Sequence, residues 1–203
     1  MYAVGHFALG YLTGKLTAKS LNTTINIPLL FLASIFPDID ILIPGLVHRG
    51  PLHSILLFFL VFIPIVIIYK KRAIPYFIAV ISHLIIGDYI IGGNLQLLWP
   101  LTTDAYGFDI VIGSVLDVAL EWSLFLISMA VLIKTKDVFL LLKPIPSNII
   151  LVIPLVAVLL PTTISYPLQV PLSLLLPHII FLILLASPII IYSKTILTKT
   201  KKP

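Results

Sequence analysis

Seven side chains within the first ninety residues are of the types that chemistry needs: His6, Asp38, Asp40, His48, His53, His83 and Asp88. Four imidazoles and three carboxylates make a nitrogen and oxygen donor set that suits zinc, manganese or iron. The chain has no cysteine, so thiolate ligation is excluded. Such a set can serve a hydrolytic centre of one or two metals. In Asp38-Ile39-Asp40 the carboxylates share a face in extended backbone and diverge in a helix. One of them can bind metal while the other orients a histidine. His48 and His53 flank Arg49-Gly50-Pro51. Pro51 fits a first helical position, which sets His53 and Ser54 at a helix N-terminus, where anions are favoured. The guanidinium fork of Arg49 suits a phosphate or carboxylate on a substrate.

Asp117 and Glu121 are four apart and hence share a helical face. They either complete the metal site from its far side or act as general base, or else form a proton-sharing pair facing a polar cavity. His178 stands alone on an apolar helix and is given no role. Asp104 and Asp109 read as turn residues, and Trp99 and Trp122 as interface or packing residues.

The elements that position these groups belong in a membrane. The 203 residues are 60% hydrophobic and 10% charged, where a soluble domain carries about 25% charged residues. This excludes a water-soluble enzyme, a disordered chain and a disulfide scaffold. The net charge of +5 does not point to nucleic acid, because the basic residues sit between long apolar runs. Apolar segments fall at 51–69, 73–91, 110–133, 147–163 and 169–193, with weaker ones at 2–19 and 27–47. Gly5, Gly10 and Gly14 give the first a small-residue face for close helix packing. The second is broken at Pro37-Asp38-Ile39-Asp40, and a broken helix at membrane depth belongs in a protein interior or beside a watery cavity. The expected fold is all-α: a polytopic membrane protein of about five to seven helices with a broken or re-entrant N-terminal hairpin. It forms one domain over 1–203, with the site in 1–125 and further helices in 126–203.

Putting Lys70, Lys71 and Arg72 in the cytoplasm places twelve of the thirteen basic residues on that side and leaves Arg49 outside. The C-terminus is then cytoplasmic. All seven donor residues then collect at one membrane level, toward the extracytoplasmic face of the cell (inner) membrane. Intramembrane ionisable groups are costly and mark function.

The motifs Gly5-His6, Pro37-Asp38-Ile39-Asp40, His48-Arg49-Gly50-Pro51-Leu52-His53-Ser54, Ser82-His83 with Asp88, and Leu98-Trp99-Pro100 stand in this order. Through them the chain resembles the YdjM-like family of membrane-bound metal-dependent hydrolases. The resemblance covers the first hundred residues. It implies a multi-span helical fold and hydrolysis with a metal held by the His/Asp set. Two departures stand out. Leu52 replaces a threonine usual in the family, so a supporting hydroxyl is absent or comes from Ser54. His83 and Asp88 are five apart rather than four. In an α-helix that turns them about 140° from each other, and a π-bulge near Ile86-Gly87, or a local unwinding at Gly87, is predicted to restore a shared face.

The combined expectation is a metal-dependent hydrolase acting on an ester or phosphoester of an amphiphilic, lipid-like substrate. His6, Asp40, His48, His53, His83 and Asp88 are the expected ligands to one to three divalent ions, zinc before manganese. Asp38 bridges or supports, Arg49 holds an anionic group, and Asp117 and Glu121 are candidates for proton transfer. The competing expectations are a divalent-ion transporter and a non-catalytic protein with a structural metal. The expected partners are the lipid bilayer and a lipid-like or anionic substrate, with no nucleic acid.

Overall fold

A computed structural model describes residues 1–108, 110–163 and 169–199. Asp109 and the tail lysines Lys201 and Lys202 lie outside the described residues.

The described residues are helical apart from connecting loops and two isolated bridges, Ile91 with Ile110 and Leu95 with Tyr106. Three helices are long and apolar enough to cross a membrane: α5 (Val115–Lys134), α7 (Pro146–Thr163) and α8 (Leu172–Lys199). Shorter ones surround the site: α1 (Ala3–Ser20), α2 (Ile27–Ile35), α3 (Ile55–Tyr69) and α4 (Ile74–Ser82). A one-turn helix, α6 (Asp137–Leu141), follows α5.

The most central helix is also one of the least hydrophobic. Every residue of α1 from Ala3 to Tyr11 is buried, so it faces protein on all sides and can carry glycines and a histidine. A Cβ on Gly10 would stand 2.1 Å from that of Ser34, and one on Gly14 would stand 2.4 Å from Leu30. The glycine face of α1 therefore lets α2 lie against its backbone. Below the site, Phe7, Phe31, Phe125 and Phe181 pack together, three of the contacts edge to face and Phe7–Phe181 tilted, with ring centroids 5.4 to 6.2 Å apart. Such aromatic contacts bind α1, α2, α5 and α8 into one core.

The outer surfaces are apolar. Leu60, Ile63, Ile67 and Ile68 on α3 and Leu126, Ile127 and Ile133 on α5 are exposed. In water such a surface would aggregate; against lipid it is the expected face.

The expected break falls where the sequence puts it. Asn26 caps α2 by accepting from the Leu29 amide at 3.0 Å, and the helix runs only nine residues to Ile35. Pro37 has no N–H to continue the ladder. The chain tightens into a 3-10 segment, Phe36–Leu42, that buries Asp38 and Asp40. At about 1.5 Å per residue α2 is near 14 Å long, well short of a bilayer core. Segment 27–47 is thus a half-helix ending at the site rather than a full span.

Candidate metal centre

Three turns deliver the donors. The 3-10 segment brings Asp38 and Asp40. A second short turn, Pro51–His53, brings His53, with Pro51 opening it and Ser54 capping α3 by accepting from Leu57 N at 3.2 Å. The third is the end of α4, where the α-helix gives way to a π-helix over His83–Asp88. The predicted bulge is present, and the Tyr89 amide reaches back five residues to the Leu84 carbonyl at 2.9 Å.

Four atoms meet in the interior. Asp38 Oδ1 lies 3.3 Å from both His53 Nε2 and His83 Nε2; Asp88 Oδ2 lies 3.3 Å from His53 Nε2 and 3.2 Å from His83 Nε2. All four residues are buried, and none of these four atoms has a hydrogen-bond partner. Ligands about 2.0–2.2 Å from a tetrahedral ion stand about 3.3–3.6 Å from one another. The spacing fits an ion at the centre.

The protons point the same way. His83 Nδ1 lies 2.8 Å from the Ser34 carbonyl, which can only accept. In the neutral ring Nδ1 therefore carries the proton and Nε2 offers a lone pair. A lone pair buried against two carboxylates needs a cation among them, either a metal ion or a proton on the ring nitrogen itself. The buried His/Asp group can hold a metal ion.

Asp40 stands behind His53. Its Oδ2 is 3.2 Å from His53 Nδ1, and its Oδ1 meets His48 Nδ1 at 3.0 Å. Asp40, His48 and His53 form a second group able to hold an ion. The two groups share His53, so filling both requires that ring to be deprotonated on both nitrogens. With one ion in the four-atom ring, His53 Nδ1 keeps its proton and faces the Asp40 carboxylate at 3.2 Å, the placement of a carboxylate behind a metal-bound histidine.

His6 lies beside the ring rather than in it. Its Nε2 is 3.4 Å from Asp88 Oδ1, and it stacks on His83 at 3.7 Å between centroids. The stack exists because residue 87 is glycine: a Cβ there would fall 2.6 Å from His6 Cε1. Arg49 is turned inward. Its Nη2 donates to Asp88 Oδ1 at 3.0 Å and its Nη1 to the Gly93 carbonyl at 3.0 Å. The fork expected to hold a substrate anion instead fixes a ring carboxylate, because Asp88 is the nearest buried negative charge. One edge of Arg49 still borders a cavity of about 30 Å³, together with Asp38, His48, His6, Asp88 and Thr162. That is room for about one water.

Two expectations need correction. Asp117 and Glu121 are buried but do not join the ring. Glu121 accepts from the backbone amides of Tyr2 and, at 3.0 Å, Gly5. Asp117 accepts from Gly113 N at 2.8 Å. The open amides at the start of α1 draw Glu121, as any helix N-terminus draws an anion. Ser54 does not supply the missing hydroxyl either. Its Oγ donates to the Trp99 carbonyl at 2.7 Å, and His53 is supported by Asp40. The Ser34 carbonyl and the carbonyls that hold Arg49 were not foreseen, since a backbone acceptor leaves no mark in a sequence. His178, given no role, meets the Leu159 carbonyl through Nε2 at 3.0 Å.

The family model for the YdjM inner membrane protein matches residues 1–170. The chain belongs to the YdjM inner membrane protein family. Every residue of the buried ring falls within that match, and so does the π-helix. No curated protein and no solved structure matches the chain.

Proposed function

We propose that this YdjM-family protein is a membrane-embedded, metal-dependent hydrolase acting on an ester or phosphoester of an amphiphilic substrate. The supporting observation is the ring of four buried, unpartnered donor atoms beside a water-sized polar cavity. Asp38, His53, His83 and Asp88 would hold the ion, zinc fitting the nitrogen and oxygen donors best. Bound there, it would supply Lewis-acid polarisation and a lowered pKa for water.

The residues around the cavity do the rest. Asp40 and the Ser34 carbonyl orient the two imidazoles. Arg49 keeps Asp88 in place and presents its outer edge to an anionic group. His48 is held at Nδ1 by Asp40 and is partly exposed, so its other nitrogen is the group best placed to pass a proton to a leaving oxygen. The site faces the extracytoplasmic side by the basic-residue asymmetry, with the C-terminus cytoplasmic.

A second reading is a closed metal site that only ties the helices together. Four protein ligands favour it, since catalytic zinc usually has three; the bordering cavity favours the first. The transporter reading draws no support from Asp117 and Glu121, which bind backbone amides. The test is hydrolysis of a panel of phosphoester and carboxylester lipids by purified protein, with and without chelator. Chelator-sensitive turnover, absent in His48→Gln while metal is retained, supports the hydrolase. Full metal content with no turnover on any substrate supports the structural site.

A further inference from the structure

Away from the metal centre, cavities of about 550 and 230 Å³ lie between α2, α3 and α4. Both are lined by Leu29, Ile65, Ala73 and Tyr76, so they form one groove. Its narrow part is walled by Phe36, Phe58, Val61 and Val80, with no charged side chain. Its wide mouth carries Thr24, Asn26, Tyr69 and Arg72. Arg72 is exposed and follows Lys70 and Lys71 in the same turn. Among the described residues its guanidinium has no hydrogen bond or ion pair, whereas Arg49, the other arginine, has both.

Two properties select the occupant. A carbon-lined slot stays dry and takes an apolar chain. A free guanidinium at the end of such a slot, beside two lysines, takes a phosphate by paired hydrogen bonds. We propose that this groove is a specific site for one anionic phospholipid, with its phosphate on Arg72 and one acyl chain in the slot. The mouth lies near the start of α4 and the metal ring at its far end, about 20 Å away at 1.5 Å per residue. The lipid is therefore a resident of the leaflet that holds Lys70–Arg72 and is not held for hydrolysis. This site stands apart from the hydrolase reading, and neither depends on the other.

The test is native mass spectrometry of the whole chain, released from detergent after equilibration with phosphatidylglycerol or phosphatidylcholine of identical chains. One phosphatidylglycerol is expected to stay bound per chain, at least about tenfold more strongly than phosphatidylcholine, whose choline cation offsets the phosphate charge that Arg72 pairs with. Arg72→Gln, an exposed change that leaves packing intact, should abolish the preference. Val61→Trp should block the slot and release both lipids, with folding checked by thermal unfolding. Should Val61→Trp not fold, Arg72→Gln alone decides. Equal retention of the two lipids by the wild type, or an unchanged preference in Arg72→Gln, overturns the proposal.

Discussion

His83 and Asp88 are five residues apart, yet their Nε2 and Oδ2 atoms lie 3.2 Å from each other. An α-helix would point them to different sides, and the π-helix between them turns both to one point. Gly87, inside that turn, leaves the space in which His6 stacks. One local irregularity thus sets two ligands and a neighbouring imidazole.

Gly87→Ala tests that relationship. The added methyl meets His6 at 2.6 Å in a buried, packed site, so the ring or the turn must shift. Overpacking of this kind costs about 1–3 kcal/mol. The variant should unfold at lower temperature and bind zinc more weakly than wild type in a titration. Unchanged zinc affinity would mean that the His6 stack has no part in shaping the ring.

Asp40→Asn separates support from ligation. It leaves the four ring atoms intact and removes the negative charge that stands 3.2 Å from His53 Nδ1. Loss of such a partner typically lowers metal affinity by about 10–100-fold. Calorimetric titration should find weakened but measurable binding, whereas His83→Ala should show none. Complete loss in Asp40→Asn would make Asp40 a ligand, as the sequence alone suggested.

Arg49→Met removes the fork that holds Asp88 and leaves that buried carboxylate only the Met1 amino group, 3.5 Å away, as a fixed cation. Losing one member of a buried pair costs about 3–5 kcal/mol. Because a bound ion also neutralises Asp88, the loss should be smaller in saturating zinc than with chelator. Thermal unfolding in both conditions checks this; an equal loss in both would contradict it.

Glu121→Gln addresses a residue that the sequence placed near the chemistry. Its carboxylate receives two amides at the head of α1, so the change should destabilise by about 1–2 kcal/mol. Metal content should stay at the wild-type level. A parallel loss of metal would return Glu121 to the site.

Much of this was legible in the sequence because the membrane makes polar residues expensive. His6, Asp38, Asp40, His53, His83 and Asp88 stand out against apolar runs, and all are buried together. The π-helix followed from the five-residue His83–Asp88 spacing set against the four usual in the resembled family. Which carboxylate joins the ring was not legible: Asp38 and Asp40 differ only in how a 3-10 turn aims them, and the sequence favoured Asp40 where the ring contains Asp38. Arg49 was read as open to substrate because nothing in the sequence shows Asp88 within 3.0 Å of it. The i, i+4 pattern of Asp117 and Glu121 likewise cannot reveal that Glu121 meets the first amides of α1 and Asp117 the Gly113 amide.

The account rests on an ion at the centre of Asp38, His53, His83 and Asp88, and metal analysis by mass spectrometry tests it most directly. Wild-type protein, Asp38→Asn and His83→Ala are purified in detergent, loaded with zinc and freed of excess. At least one tightly held ion per wild-type chain, lost in both variants, is the predicted result. No retained zinc or manganese in the wild type, or equal content in all three proteins, would contradict the account.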